Sequence, residues 1–508
     1  MSETTRIHCP VLRERVMTAE QAAELIPAGS NVGMSGFTGA GYPKAVPVAL
    51  AERIRKHNAT GAEPFKINLW TGASTAPELD GGLADVNGVG LRMPFQSDPA
   101  CRNRINAGEM DYIDMHLSDV APHTWAGFLG KLNVAVIEVI GIREDGSLIP
   151  SSSVGNNKAW IDQADKVIIE VNSKQNPKLE GMHDIYYGTA MPPHRKPIPM
   201  THPSDRIGEK YLQCPAEKII AVVETHLTDR NSAFKAPDED SVKIANHIIK
   251  FFQKEVELGR LPKNLLPLQS GVGNIANAVL EGLDGGPFKN LTSYTEVIQD
   301  GMLKMLKSGT LDIASATAFS LSPDGLEEFN NNIDLYRKKI ILRQQDISNH
   351  PELARRMGII AMNGLIELDI YGNVNSTHIM GTRIMNGIGG SGDFARNGYL
   401  SIFMTPSLAK GGAISSIVPM VSHVDHTEHD VKIIVTEQGI ADLRGLCPRK
   451  RALAIINNCA HPDYRAELLD YFERASNNGG GLHTPHILGE ALSWHQRYEE
   501  TGHMLPKK

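Results

Sequence analysis

Short apolar runs rich in β-branched residues recur along the whole chain and alternate with helix-like stretches. "AVIEVIGI", "KVIIEVN", "KIIAVVET" and "KIIVTEQG" are the clearest of them. Runs with little polar alternation suit strands buried on both faces, as in parallel sheets. Interleaved with helices, they predict an α/β architecture. Residues 242–256 carry Val242, Ala245, Ile249, Phe252 and Val256 at helical spacing, which predicts an amphipathic helix. A chain of 508 residues exceeds one ordinary core, so two or more domains are expected.

The strand-like runs suggest an internal duplication. The strand, Gly loop and helix start of 34–50 parallel those of 268–280. "VIEVIGIREDGSLIPSSS" (136–153) resembles "LIELDIYGNVNSTH" (365–378), each a hairpin pattern, and 165–172 resembles 431–438. Three matches in one order predict two copies of one α/β unit. The boundary is placed near 226–240, giving domains 1–228 and 229–508, and the Pro-rich stretch 187–216 is read as an ordered surface excursion. On this alignment the second copy carries a longer segment between its hairpin and its last matched strand. That segment holds "NGIGGSGDFARNG" and "SLAKGGAISSIVP". Gly-rich segments of this kind are usually functional loops, so the chemistry is expected mainly in the second half.

Composition narrows the function. Lys and Arg total 51 against 58 Asp and Glu, a formal charge of −7, which disfavours bulk nucleic-acid binding. No apolar run approaches bilayer length and the first residues lack a signal-peptide core, so a soluble intracellular, cytoplasmic protein is expected. The five cysteines are scattered, without a CxxC pair, and are read as free thiols.

"LLPLQSGVGNIANAVL" places Gly271-x-Gly273-x-x-Ala276 between a strand and a helix, and Glu296 follows about one strand later in "LTSYTEVIQDG". Three readings fit the loop: a tight turn, a dinucleotide site with Glu296 on a ribose, or backbone N–H groups aimed at an oxyanion. Glu296 is expected at or just past the C-terminal end of a strand, where ligands gather in open α/β sheets; Asp300 is expected at a helix N-terminus. The density of glycine in 386–398 suggests close backbone approach to a ligand, and Lys410 beside two glycines can meet a phosphate. His423, His426 and His429 lie in "SHVDHTEHD", read as a turn whose rings diverge rather than as a metal site. No P-loop, HExxH or GxSxG pattern occurs, which leaves a carboxylate as the candidate nucleophile.

"SGFTGAGYPKAVP", "QSGVGNIANAVL", "SYTEVIQDG", "GNVNSTHIMGTRIMNGIGGSGDF" and "SHVDHTEHDVKIIVTEQGIADLRGL" together resemble the acetyl-CoA hydrolase/transferase family over essentially the whole chain. The resemblance implies two tandem NagB/RpiA-like CoA-transferase domains, in a homodimer. It implies movement of CoA from succinyl-CoA to acetate through a covalent glutamyl-CoA thioester, with CoA as substrate and no permanently bound cofactor. Acetyl-CoA hydrolysis is the alternative within the family, and a nicotinamide or flavin oxidoreductase the alternative outside it. By motif, Glu296 corresponds to the catalytic glutamate. Gly271, Val272, Gly273, Asn274 and Ile275 correspond to the CoA-binding loop, with the Val272 and Gly390 amides as oxyanion donors. Asn386 and Lys410 correspond to further CoA contacts, and Asn349, Arg230 and Glu437 to the carboxylate pocket.

Overall fold

The computed structural model describes residues 6–74, 76–231, 236–477 and 482–506. The chain divides into two compact units. The first comprises Met1–Ala233, Thr292–Lys307 and Asp312–Arg356; the second comprises Phe234–Leu291, Ser308–Leu311 and Met357–Lys508. The chain thus leaves the first unit close to the expected boundary but returns to it twice. A single cut at 228/229 assigns Glu296 to the second part of the chain, whereas the division into compact units groups Thr292–Lys307, and Glu296 with it, in the first.

In the first unit, parallel strands run in the order Ile219–Thr225, Lys166–Asn172, Val134–Ile142, Asn31–Met34, Ile67–Trp70, Val89–Met93 and Asp111–Tyr112. Every residue of Val134–Ile142 is buried, as expected for a central strand covered on both faces. Leu148–Pro150 folds back antiparallel on it, so the first predicted hairpin is present. The helix Ala45–Asn58 buries Val46, Leu50 and Ile54 against one face, where Met34, Ile67 and Leu69 belong to the same core. The same unit holds the parallel pair Val297–Gln299 and Ala318–Ser320.

In the second unit the order is Ile433–Thr436, Leu400–Met404, Ile360–Gly364 and Leu268–Ser270, all parallel, with Gly439–Asp442 antiparallel at the edge. Its core gathers Phe403, Ile434, Ile455, Leu468 and Trp494. Glu367–Asp369 pairs antiparallel with Val374–Asn375, the second predicted hairpin.

The strand orders correct the third sequence match. Strand Ile433–Thr436 is the fourth counting from the Gly-loop strand, so its positional counterpart is Ile219–Thr225; Lys166–Asn172 corresponds instead to Leu400–Met404. With that register the stretches between hairpin and outer strand have similar lengths. Of the two Gly-rich stretches, 407–419 then stands where the first unit has its Pro-rich excursion, while 386–398 precedes Leu400–Met404 as the helix Asn157–Gln163 precedes Lys166–Asn172, so neither is an added insertion.

The predicted amphipathic helix spans Glu239–Glu257, and Asp238 caps it by accepting from the Ser241 N–H at 2.8 Å. Its buried face is Ser241, Ile244, Ala245, Ile248, Phe252 and Glu255, while Val242 is exposed. The core face is therefore rotated from the one read by spacing alone, and admits Glu255 because Arg260 and Arg444 pair with it.

Candidate active site

Glu296 sits two residues beyond the strand Leu291–Tyr294, at the turn into Val297–Gln299. The turn is held through its backbone: the Glu296 carbonyl accepts from Thr317 N–H at 2.9 Å and Ala318 N–H at 3.2 Å. Val297 and Ala318 beside it pack with Phe37, Ala73 and Leu117. Threaded between these apolar contacts, the side chain is half-buried.

Its Oε1 accepts from Asn349 Nδ2 at 2.7 Å. Asn349 is fully buried and follows the short helix Gln345–Ser348, whose first N–H donates to the Gly155 carbonyl at 2.9 Å. Gly155 N–H in turn donates to Thr317 Oγ1 at 3.0 Å, closing a circuit from the Asn349 helix back to the Glu296 turn. Withdrawal from water pushes the Glu296 carboxyl up to about 7, and the Asn349 donation works against that rise. A carboxylate in this position is more basic, and so a better nucleophile, than one in open water.

Arg230 lies in the same unit beside the loop of "SGFTGAGYPK". Its N–H donates to the Gly39 carbonyl at 3.0 Å, and a Cβ on Gly39 would come within 1.9 Å of the Arg230 carbonyl oxygen, so only glycine fits there. The Arg230 guanidinium pairs with Glu78 at 2.7 Å, and Glu78 also accepts from the Tyr42 hydroxyl at 2.9 Å. Behind the loop lies a buried charge network that spacing did not reveal. Lys44 pairs with Glu138 at 2.5 Å and Asp229 at 2.9 Å. Asp229 also accepts from the Gly41 N–H at 3.2 Å, which ties the residue before Arg230 to the Gly loop. Glu170 accepts from the Ala45 and Val46 N–H groups at 3.0 Å, neutralising the start of the helix Ala45–Asn58. The available signal was a glutamate in the middle of an apolar strand, once in "AVIEVIGI" and once in "KVIIEVN".

In the second unit, Gly271 to Gly273 form the turn after strand Leu268–Ser270, and Asn274 and Ile275 open the helix Asn274–Asp284. Gly273 has φ of 134°, a conformation that favours glycine, and Val272 is 56% exposed. The first helical N–H groups have no side-chain cap, so their positive end is left for a polar partner. Gly390 is buried at the start of helix Ser391–Asn397. Asn386 donates to its neighbour's carbonyl, Gly387, at 2.9 Å and to Ser376 at 3.2 Å. Lys410 is exposed in a tight turn with φ of 51°. Glu437 accepts from the Ser407 N–H at 2.7 Å and from Gln438 at 2.9 Å. Burial works to raise its carboxyl, but Ser407 and Gln438 outweigh it and hold the group below the usual range.

The three histidines diverge as expected of a turn. His423 stacks near His378 with ring centroids 3.8 Å apart, His426 is buried with Nε2 3.0 Å from Ser391 Oγ, and His429 is exposed. Among the described residues no group of three or more His, Cys, Asp or Glu could hold a metal ion, and no helix is long and apolar enough to cross a membrane. The five cysteines are free thiols.

The acetyl-CoA hydrolase/transferase N-terminal domain matches residues 11–224, and the C-terminal domain of that family matches 325–472. The chain is 53% identical to the succinyl-CoA:acetate CoA-transferase of Clostridium kluyveri, over 98% of this chain and 92% of that protein. It is 46% identical to the propanoyl-CoA:succinate CoA transferase of Escherichia coli, over 96% of this chain and 98% of that protein. It is 45% identical to an acetyl-CoA hydrolase of Candida albicans, over 98% and 96%. Among solved structures, RipA from Yersinia pestis shares the fold with a TM-score of 0.69 at 21% identity, covering 91% of this chain and 98% of that one. A 4-hydroxybutyrate CoA-transferase from Porphyromonas gingivalis shares it at 0.62 and 22%, with the same coverage. These matches cover nearly the whole chain, which belongs to the acetyl-CoA hydrolase/transferase family of enzymes, a family that works on CoA thioesters.

Proposed function

We propose that this enzyme moves CoA from succinyl-CoA to acetate through a thioester on Glu296. The observation that carries the reading is a carboxylate at a strand end, partly withdrawn from water and steered by one amide donor, Asn349. A Glu296 oxygen attacks the succinyl carbonyl carbon, the C–S bond breaks, and CoA leaves as thiolate from a mixed anhydride. The thiolate then attacks the glutamyl carbonyl, releasing succinate and leaving CoA on Glu296. Acetate repeats the sequence in reverse, giving acetyl-CoA and the free carboxylate. The exchange is covalent and ping-pong. Each attack creates a tetrahedral oxyanion, for which the Val272 and Gly390 amides are the proposed donors. The Gly271–Ile275 loop, Asn386 and Lys410 are assigned to CoA, and Arg230, Asn349 and Glu437 to the carboxylates, on the strength of the resemblance.

Two tandem NagB/RpiA-like domains, joined in a cytoplasmic homodimer, complete the proposal. The repeated strand order of the two units supports the tandem part. The relatives named acetyl-CoA hydrolases favour a second reading, in which water takes the acetyl group. Intact-protein mass after addition of acyl-CoA tests the mechanism: a CoA-sized adduct is expected on the wild type and not on Glu296→Ala. Thiol release from acetyl-CoA with and without succinate separates the two activities. Release that needs no acid acceptor would establish the hydrolase.

A further inference from the structure

The Asn349 amide has two ends of nearly equal size, and only one of them suits an ionised glutamate. We propose that Ser348 is a positioning residue that fixes which end of the Asn349 amide faces Glu296. The inference rests on the reading of Glu296 as the nucleophile and deepens it.

Ser348 and Asn349 are both fully buried. The Ser348 hydroxyl donates to Asn349 Oδ1 at 2.9 Å, while Asn349 Nδ2 donates to Glu296 Oε1 at 2.7 Å. The three side chains therefore form a directed chain, hydroxyl to carbonyl and then amide to carboxylate. The hydroxyl has one proton, and its other acceptor, the Gln345 carbonyl, lies farther away at 3.4 Å. Turned through 180°, the amide would donate to Ser348 Oγ, and the hydroxyl would donate to Gln345. That arrangement presents Oδ1 to Glu296 and matches a protonated carboxyl only. The chain thus has two self-consistent hydrogen-bond patterns that differ by one proton on Glu296. The shorter donation to Oδ1 selects the pattern in which Glu296 is ionised.

No other charge competes for this control among the described residues. Burial and Asn349 are what act on the Glu296 carboxyl. The strand Ala318–Ser320 and the segment Phe37–Thr38 carry no titratable side chain. On the Asn349 segment, Asp346 is engaged by Gln344 and Thr189 and feels Lys158, and His350 feels Glu352, Arg195 and Arg356. The Tyr294 hydroxyl is spent on the Ile347 carbonyl.

The test is the pH profile of CoA-adduct formation on Glu296, followed by rapid quench and intact mass with acetyl-CoA. Ser348→Ala removes the donor to Oδ1, so Glu296 should keep its proton to higher pH. The midpoint of the profile is expected to move up by about half to one unit. The rate should then fall several-fold more at pH 6 than at pH 8.5. Ser348→Thr keeps the hydroxyl and should restore the wild-type midpoint. If the added methyl prevents folding, Ser348→Cys, a weaker donor, should fall between serine and alanine. An unchanged midpoint in Ser348→Ala, or a loss of rate equal at every pH, would overturn the role given to Ser348. A wild type that forms no adduct would instead remove the reading of Glu296 on which it rests.

Discussion

Replacing Glu296 with glutamine should stabilise the protein above neutral pH and leave it nearly unchanged in acid. The side chain keeps its shape and still accepts from Asn349 through its carbonyl oxygen, but loses its charge. Burial raises the wild-type carboxyl from 4.5 to about 7. A carboxyl raised on folding favours the native state while protonated. That contribution is whole below about pH 4.5, declines as the pH rises through the native value, and is gone above about 7.5. At about 1.36 kcal/mol per unit, the ionised wild type carries a cost of about 3 kcal/mol that the glutamine variant does not. Partial solvent access of the side chain makes this an upper figure. For a cooperative unit of this size it corresponds to a difference in melting temperature of roughly 3 to 5 °C. Melting temperatures of both proteins, measured from pH 4.5 to 8.5 at one heating rate, should diverge through pH 5–7 and then run parallel. Curves separated by a constant amount, or a wild type that gains on the variant as pH rises, would show that the carboxylate is not desolvated and would remove the physical basis for its nucleophilicity.

Asn349→Ala should slow adduct formation about 10- to 100-fold, the worth of one hydrogen bond to a charged group, with acyl-CoA affinity changed far less; single-turnover kinetics read both. Val272→Pro removes the proposed oxyanion N–H and should lower kcat by about 100- to 1,000-fold while the protein melts near the wild-type temperature, since Val272 is exposed. Lys44→Met leaves Glu138 and Asp229 buried without their cation, and a loss of about 3–5 kcal/mol is expected by chemical denaturation. Gly39→Ala should displace the Arg230 segment because its Cβ would meet a backbone oxygen; a KM for succinate identical to wild type would contradict that.

The alternation of apolar runs and helices was legible because buried parallel strands leave a strong compositional trace. That same trace hid which run matched which. "KVIIEVN" and "KIIAVVET" are equally apolar, and only sheet order shows that Ile433–Thr436 pairs off with the second of them. The helix Glu239–Glu257 was legible as a helix, yet its face was misjudged because Val242 points to solvent and Glu255 is held inside by two arginines. Glu296 could be placed at a strand end from local pattern. Its partner Asn349 lies 53 residues away and is brought to it by a turn and a short helix that no spacing rule encodes. The Lys44 network was equally silent, since an ion pair between distant strands leaves only an oddly placed acid as its mark.

The return of Thr292–Lys307 and Asp312–Arg356 to the first unit has a bearing on biosynthesis. On the ribosome, the first 228 residues emerge with Phe37, Ala73 and Leu117 already made but without Val297 and Ala318 to cover them. Nascent chain must keep that apolar surface in reserve until Ala318 has been translated, so truncated messages ending earlier should yield sticky, chaperone-dependent products.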